Sequence, residues 1–333
     1  MDGARRSLVE ERDTHRASHL PTAGLAALAF GWFEGALHFL KRGLESRPPA
    51  EPPGAAGDAA LPPPEPHPDP ALVLLAARYG LWTADLRSIS NLAEQLVAPV
   101  DRTRSLGLKA LLQDLIRALE PGGASPSLQH LRDAAGVEAS TGPYALQWRP
   151  TLDLLPVPRG DLRDRLTRPE AAAALLASCP TGDEGLTGMP YLPSLALVGG
   201  LLKAEADAGY GRLTLAPRLP QSWATCRMGG LWVGDASVDV DYRGTATAHR
   251  FSLRQNRGRV PLNLVFAPEV PWPEAEAGPL PGKDGPGTGD VRVKLNGTSA
   301  NAEVAAAGPR VRIRMQVPLD RETEIEVSAG QTR

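Results

Sequence analysis

The sequence is short of cysteine, of clustered histidine and of long apolar runs. Its two cysteines, Cys179 and Cys226, stand far apart and form no metal-binding or redox spacing. A disulfide between them is one alternative, and two buried thiols are the favoured one. The 6 histidines are scattered, so we expect no metal and no cofactor. No run approaches about 18 uninterrupted apolar residues, so no membrane-spanning segment is predicted.

Several functional signatures are also missing. The chain has neither a Gly-rich phosphate loop nor a G-x-S-x-G elbow. A formal net charge of -2 argues against a nucleic-acid partner, because phosphate neutralisation needs a basic face. The N-terminus lacks the apolar core of an export signal, so we expect a cytoplasmic protein. The helical pattern begins almost at once, which leaves open an upstream domain that relatives carry.

The first 208 residues of the 333 have the pattern of paired helices. Predicted helices lie in WFEGALHFLKRGL, PALVLLAARYGLW, DLRSISNLAEQLV, RSLGLKALLQDLIRALE, SLQHLRDAAG, RPEAAAALLAS and PSLALVGGLLKAEADAG. Thr83 or Asp85 is the expected N-cap of the third. Residues 47–70 are too rich in proline for a helix, and this predicts a long loop that serves as a linker or a lid.

From Gly211 the hydrophobic period changes to two. About eight short runs separated by turn residues predict an antiparallel β-sandwich over residues 209–333. Asn296-Gly297 is a strong hairpin turn, because both central residues need positive φ. The stretch from Glu269 to Asp290, EVPWPEAEAGPLPGKDGPGTGD, predicts a disordered excursion. The expected fold is therefore α followed by β.

The joint between the two patterns, AGYGRLTLAPRLP followed by GGLWVGDASVDVDY, resembles the six-hairpin glycosidases. These α/α-toroid enzymes include glucoamylases, bacterial trehalases and glycogen-debranching glucosidases, and in them a last inner helix runs into a P-x-L-P phrase and a small β-domain. Residues 11–40 resemble the family segment in which an Arg-Asp pair opens an inner helix. Residues 67–86 resemble the segment with a W-T-x-D turn.

The resemblance covers most of the chain in order and implies an α/α toroid with carbohydrate as substrate or ligand. The toroid is expected to be partial, because a complete one has twelve helices and the sequence shows about eight. The chain also lacks the W-E-E phrase that supplies the general acid in glucoamylases. The resemblance therefore bears on fold more directly than on activity.

Inverting glycoside hydrolysis needs two carboxyl groups about 6.5 to 9.5 Å apart, one protonated and one ionised. Glu184, on a glycine-rich loop ahead of the last predicted inner helix, is similar in position to the general base of glucoamylase-like enzymes. A solvated loop acid beside Asp183 is the alternative. Asp101 lies where the missing general acid belongs, although an N-cap on the next helix is the simpler role.

Substrate-binding candidates lie on other predicted loops. The resemblance implies that Arg12 and Asp13 hold the terminal sugar through charge-assisted bonds, and a helix-capping turn is the alternative. Asp69, with His67 beside it, either lines the entrance of the same sugar-binding cleft or caps the following helix. Among the aromatic residues Trp82, Trp148 and Tyr191, only Trp148 is a fair sugar-stacking candidate, and the others are expected in the core. We expect Arg12, Asp13, Asp69 and Glu184 to gather at one end of the helical body.

Three hypotheses follow. The first is a glycosidase acting on an α-glucan or another oligosaccharide by acid/base catalysis. The second is a non-catalytic protein of the same fold that binds carbohydrate or a partner chain. The third is an unrelated helical-plus-sandwich protein, since fold-level analogy does not settle function. Linkage, substrate identity and oligomeric state are not predicted.

Overall fold

The fold is described from a computed structural model of the chain. The described residues are 24, 25, 27, 28, 32–45, 70–97, 106–123, 126–135, 168–177, 195–272, 291–307 and 310–329. They fall in two compact units, one formed by Met1–Leu28 and Trp32–Pro156, the other by Ala29–Gly31 and Val157–Arg333. A compact unit need not fold as a domain, so the expected boundary between residues 208 and 209 stays a prediction.

The first unit contains five of the described α-helices. They are α1 (Phe33–Glu45), α2 (Pro70–Thr83), α3 (Leu86–Val97), α4 (Leu106–Leu119) and α5 (Pro126–Ala135). The centre of this unit is α2, which packs against α1, α3 and α4. The consecutive residues from Leu72 to Leu75 are all buried, so α2 is covered around its circumference and not on one face only. The cause is that α2 has neighbouring helices on several sides. The predicted helical pairs are confirmed as helices here.

The second unit begins, in its described part, with two helical segments. These are α6 (Pro169–Ala177) and a π-helix (Leu195–Leu201), which pack against each other. The last predicted helix was wrong at its end, because Glu205–Asp207 form β1 instead. Pairing with β2 (Arg212–Leu215) explains the difference. It gives the backbone N–H and C=O groups of β1 the hydrogen-bond partners that they would otherwise have in a longer helix.

Twelve strands in the described residues form two sheets. After β1 and β2 come β3 (Thr225–Val233), β4 (Ala236–Gly244), β5 (Ala248–Arg257), β6 (Leu262–Phe266), β7 (Glu269–Pro271), β8 (Val291–Leu295), β9 (Thr298–Ser299), β10 (Glu303–Ala306), β11 (Arg310–Leu319) and β12 (Glu322–Ala329). One sheet has the order β1-β2-β6-β11-β10, with β7 also on β11, and the other has the order β3-β4-β5-β12-β8-β9.

Two expectations about these strands need correction. The sheets are not wholly antiparallel, because β2 pairs with β6 in parallel. Glu269–Pro271, expected in a disordered excursion, form β7 on β11, and the rest of that stretch lies outside the described residues from 273 onward. The predicted hairpin turn is confirmed: Asn296 and Gly297 have φ values of 50° and 79° between β8 and β9.

The core between the two sheets is built from alternate residues of each strand. In β11 the burial alternates along the strand, with Ile313, Met315 and Val317 inside. Phe251 of one sheet meets Phe266 of the other edge to face, with ring centroids 5.1 Å apart. Such contacts across the two inner faces are what a sandwich requires.

Candidate functional site

The six residues that the sequence proposes for catalysis and binding lie outside the described part of the chain. They are Glu184, Asp101, Arg12, Asp13, Asp69 and Trp148. His67 and Tyr191 lie outside it as well. Their predicted gathering at one end of the helical body therefore stays a prediction.

The W-T-x-D turn of the resemblance lies in the described part and joins α2 to α3. The Asp85 carboxylate accepts the Ser88 backbone N–H at 3.1 Å, which confirms Asp85 as the N-cap. Its other oxygen accepts the Tyr79 hydroxyl at 2.9 Å. The Thr83 hydroxyl donates to the Tyr79 carbonyl at 2.7 Å and accepts the Asp85 N–H at 3.1 Å. These side chains thus serve the helix connection.

The electrostatics of the turn also favour a structural role. Burial and the neighbouring Asp85 raise the pKa of Tyr79 well above its ordinary value. Burial alone would raise the pKa of Asp85, but hydrogen bonds from Ser88 and Tyr79 hold it below its ordinary value. Asp85 is therefore ionised near neutrality and is no general acid. Trp82 beside it is 3 % exposed, so its expected place in the core is confirmed.

A partly buried ion pair joins α2 to α4 in the same unit. Arg78 lies 3.9 Å from the Asp114 carboxylate. Burial raises the pKa of Asp114, although the charges of Arg78 and Arg117 oppose the shift. Sequence reasoning missed this pair, because each residue has an ordinary helical position and only packing brings them together.

An ionic cluster surrounds the buried Glu269 on β7. Arg218 Nε lies 2.9 Å from one carboxylate oxygen, and Arg312 Nε donates to the other at 3.0 Å. A second Arg312 nitrogen contacts that same oxygen. Burial alone would raise the pKa of Glu269, but Arg312, Lys203 and Arg218 hold it below its ordinary value. Arginines thus contact both carboxylate oxygens, which favours a structural role for Glu269.

Arg310 extends the cluster to the helices of the second unit. Its Nη1 atom donates to the carbonyls of Leu219 at 2.9 Å and of Glu269 at 3.2 Å. Its Nη2 atom donates to the Glu170 carboxylate, on the first turn of α6, at 3.2 Å. This guanidinium thus joins α6, the joint and β7, which makes it a structural centre rather than a catalytic one.

A second buried polar pair lies between the two sheets. His249 on β5 is 3 % exposed. Its Nδ1 atom lies 2.9 Å from the Tyr242 hydroxyl, and its Nε2 atom lies 3.0 Å from the Pro271 carbonyl. Because a carbonyl only accepts, Nε2 carries the hydrogen and Nδ1 accepts from Tyr242. No period or motif in the sequence distinguishes this histidine from the other five.

A surface depression of the second unit contains a single carboxylate. A depression of about 480 Å³ lies at the start of β10, lined by Asn301–Glu303 and Arg314–Gln316. Its one carboxylate, Glu303, is 3.9 Å from Arg314. Within the described residues no group of three His, Cys, Asp or Glu has metal-binding geometry. In the same part of the chain, no helix combines the length and the apolar character needed to cross a bilayer.

Comparisons with known proteins give matches among solved structures only. No protein-family model and no curated protein matches the chain. The structure of α-L-rhamnosidase from Dictyoglumus thermophilum is 13 % identical with a TM-score of 0.39, over 91 % of this chain and 45 % of that chain. The GH127 β-L-arabinofuranosidase Ara127N-Se from Geobacillus Stearothermophilus T6 is 10 % identical with a TM-score of 0.22, over 79 % of this chain and 42 % of that one.

Both similar structures are glycoside hydrolases. The chain spans less than half the length of each of them. TM-scores this low do not establish a shared fold.

Proposed function

We propose that this chain belongs to a carbohydrate-active protein of glycosidase type, with a partial α/α toroid and a trailing β-sandwich. Its reaction is the hydrolysis of a glycosidic bond in an oligosaccharide or α-glucan by acid/base catalysis. The proposed domain boundary lies between residues 208 and 209. The observation that carries the proposal is the joint between the last helical segment and the sandwich.

Backbone hydrogen bonds within the joint support the proposal. The π-helix ends at Leu201, and the following residues enter β1 and then β2. After β2 the A-P-R-L-P phrase runs back along the end of that helix. The Ala216 N–H donates to the Leu202 carbonyl at 3.0 Å, and the Arg218 N–H donates to the Leu201 carbonyl at 2.7 Å. The phrase therefore caps the helical segment while leading into the strands, which supports its role as the link from toroid to sandwich.

Arg310 and Glu269 support the same interpretation. The Arg310 bonds to the Leu219 carbonyl and to Glu170 fix the phrase between β7 and α6. A buried guanidinium with several carbonyl and carboxylate partners makes a rigid connection. Such a connection suits a protein whose helical loops have to hold a ligand in constant geometry.

In the proposed reaction, Glu184 is the general base that activates water. Arg12 and Asp13 hold the sugar, with Asp69 and Trp148 as further binding residues. Asp101 is the proposed general acid. A carboxylate at the base position increases the nucleophilicity of water by accepting its proton as the bond forms.

A second candidate function is carbohydrate binding without catalysis. The specific observation in its favour is the absence of a W-E-E phrase from the sequence. Asp101 is shorter than a glutamate and has no tryptophan beside it. A protein with such a degenerate acid position would retain ligand binding through Arg12 and Asp13.

The test is Glu184→Gln, assayed on a panel of aryl glycosides and maltooligosaccharides. If Glu184 is the base, the variant loses several orders of magnitude in kcat, because water attack is no longer assisted. Glu303→Gln is the matched control, since Glu303 is an 80 % exposed side chain on β10. A Glu184→Gln enzyme that keeps the parent rate contradicts the assignment.

Calorimetric titration with the same oligosaccharides separates the two functions. A parent protein that binds an oligosaccharide but hydrolyses none of the panel supports the non-catalytic function. A parent protein that neither binds nor hydrolyses any of them contradicts both.

A further inference from the structure

His249 links the two sheets of the sandwich through its side chain. The residue lies on β5 in one sheet, and its Nε2 atom donates to Pro271 of β7, which belongs to the other sheet. The two residues are 22 positions apart in the sequence. Within the described residues, β7 has only three residues and pairs with β11. Glu269 is also bonded to Pro217, to Arg310 and to the Arg218 and Arg312 side chains, and the His249 bond adds a link from β7 to the opposite sheet.

The ring is fully bonded only in its neutral form. The Tyr242 hydroxyl donates to Nδ1 at 2.9 Å, and the two rings are stacked with an interplanar angle of 12°. Adding a proton at Nδ1 turns this acceptor into a donor, so the Tyr242 hydroxyl would have to accept and its own hydrogen would lose its acceptor. The imidazolium would also have to stay where the neutral ring is 3 % exposed.

The charges around the ring oppose protonation as well. Arg310 of β11 is the cation that acts on it. Glu269, the carboxylate of β7, is engaged by Arg218 and Arg312. Directly across from His249, β12 presents the uncharged Val327, and β4 presents the glycine Gly244. Farther from the ring, Cys226 of β3 acts on Tyr242.

Burial lowers the pKa of His249, and Arg310 adds to that shift, although the bond to Pro271 opposes it. A hydrated histidine has a pKa of about 6.5. A state in which β7 has separated and the ring is in water therefore binds a proton more readily than the closed state. Mild acid then favours the open state by linkage.

We propose that His249 is a proton-operated clamp, which holds β7 against the opposite sheet at neutral pH and releases it in mild acid. The release is local. It increases the population in which β7 is separated from the rest of the sandwich, without unfolding the other strands. At pH 5 the increase relative to neutral pH is at most about thirtyfold, the limit set by an open-state pKa of about 6.5.

The experiment is hydrogen exchange of the whole chain between pH 7.5 and pH 5, read by mass spectrometry and corrected for the intrinsic pH dependence of exchange. Peptides that contain residues 269–272 should lose protection as pH falls. Peptides from β2 and β6 should not. His249→Gln removes the titrating group, so its β7 peptides should show no pH-dependent loss. His38→Gln is the matched control, because His38 is an exposed histidine of α1, and it should behave like the parent.

Three results would overturn the clamp. The first is constant protection of β7 in the parent down to pH 5. The second is an equal loss in His249→Gln. The third is an equal loss in β2 and β6, which would indicate global destabilisation. If His249→Gln does not fold, Tyr242→Phe is the second test. This substitution removes the hydrogen-bond donor to the neutral Nδ1 atom, so the His249 ring should titrate at higher pH when followed by NMR. An unchanged titration contradicts the proposed geometry.

Discussion

The Arg310 guanidinium donates to the Glu170 carboxylate at 3.2 Å, although 140 positions of sequence separate the two residues. Glu170 is exposed and lies on the first turn of α6, where a carboxylate also interacts favourably with the helix dipole. Arg310 is buried, and its other nitrogen serves two backbone carbonyls. The guanidinium thus contributes more to stability through its bonds to the carbonyls than through its ion pair with the exposed Glu170.

This difference predicts unequal effects of substitution at the two ends of the ion pair. Arg310→Met should lower the free energy of unfolding by about 3 to 5 kcal/mol, because it leaves buried groups without their donor. Glu170→Gln should cost less than about 1 kcal/mol, since its carboxylate is mostly solvated. Urea denaturation measures both. Arg314→Met is the control at an exposed arginine of the same strand, and a loss there equal to that of Arg310→Met would contradict the argument.

A second prediction concerns the pH dependence of stability through Glu269. Its pKa is below the ordinary 4.5 in the folded chain, owing to Arg312, Lys203 and Arg218, which outweigh burial. The unfolded chain therefore binds the proton more readily in acid. The contribution of Glu269 is fully present above about pH 4.5 and is lost as pH falls through the folded pKa.

The measurement is the free energy of unfolding of the parent and of Glu269→Gln from pH 6.5 to pH 3. The variant should be less stable at pH 6.5, and the difference should shrink toward pH 3. The free energy of unfolding of Glu303→Gln should follow that of the parent throughout, because Glu303 is exposed and its ion pair with Arg314 is long, at 3.9 Å. A Glu269→Gln difference that stays constant with pH would show that the carboxylate does not titrate as argued.

The α2–α3 turn supports a third prediction. Asp85→Ala should lower the free energy of unfolding by about 1 kcal/mol, because the Ser88 N–H loses its cap. The Tyr79 hydroxyl loses its acceptor at the same time. Gln95→Ala, at an exposed position of the same helix, should change the free energy of unfolding by less than about 0.5 kcal/mol. Equal losses in the two variants would argue against the cap.

The sequence predicted most of the described helices and strands, since their signals are local. For α3, the N-cap and the helical spacing of apolar residues lie in one short stretch of sequence. For β11, apolar Ile313, Met315 and Val317 alternate with polar residues in the sequence itself. β1 and β7 were missed because each has three residues and is defined by its partner strand. For β7 that partner is the distant β11, whereas β1 pairs with the neighbouring β2 and its residues continue the letters of the preceding helical pattern.

The side chains described for the candidate site also differ in how far their interactions reach along the sequence. Asp85 was identified because a cap acts on the residues next to it. Arg310 and His249 were not, because their partners Glu170 and Pro271 are distant in sequence and only the fold brings them close. For Glu184 and Arg12, which lie outside the described residues, resemblance and position remain the basis of the proposal.

The last prediction contrasts two glycines that resist substitution for different reasons. Gly297 has a φ of 79°, and a Cβ at this position would have no other atom within 4 Å. Gly297→Ala should therefore cost about 1 to 2 kcal/mol of conformational energy, and Gly297→Asn should cost less, because asparagine tolerates the left-handed region. Gly244 is the opposite case: a Cβ there would clash with the Tyr242 hydroxyl and would lie 3.2 Å from His249 Nδ1.

Gly244→Ala should thus displace Tyr242 and break its bond to His249. Its cost arises from that contact, so Tyr242→Phe, which removes the hydroxyl, should make the alanine better tolerated. A double-mutant cycle by urea denaturation tests this: Gly244→Ala and Tyr242→Phe should be non-additive, whereas Gly297→Ala and Tyr242→Phe should add. Additivity in both cycles would show that the Tyr242 hydroxyl is not what Gly244 accommodates.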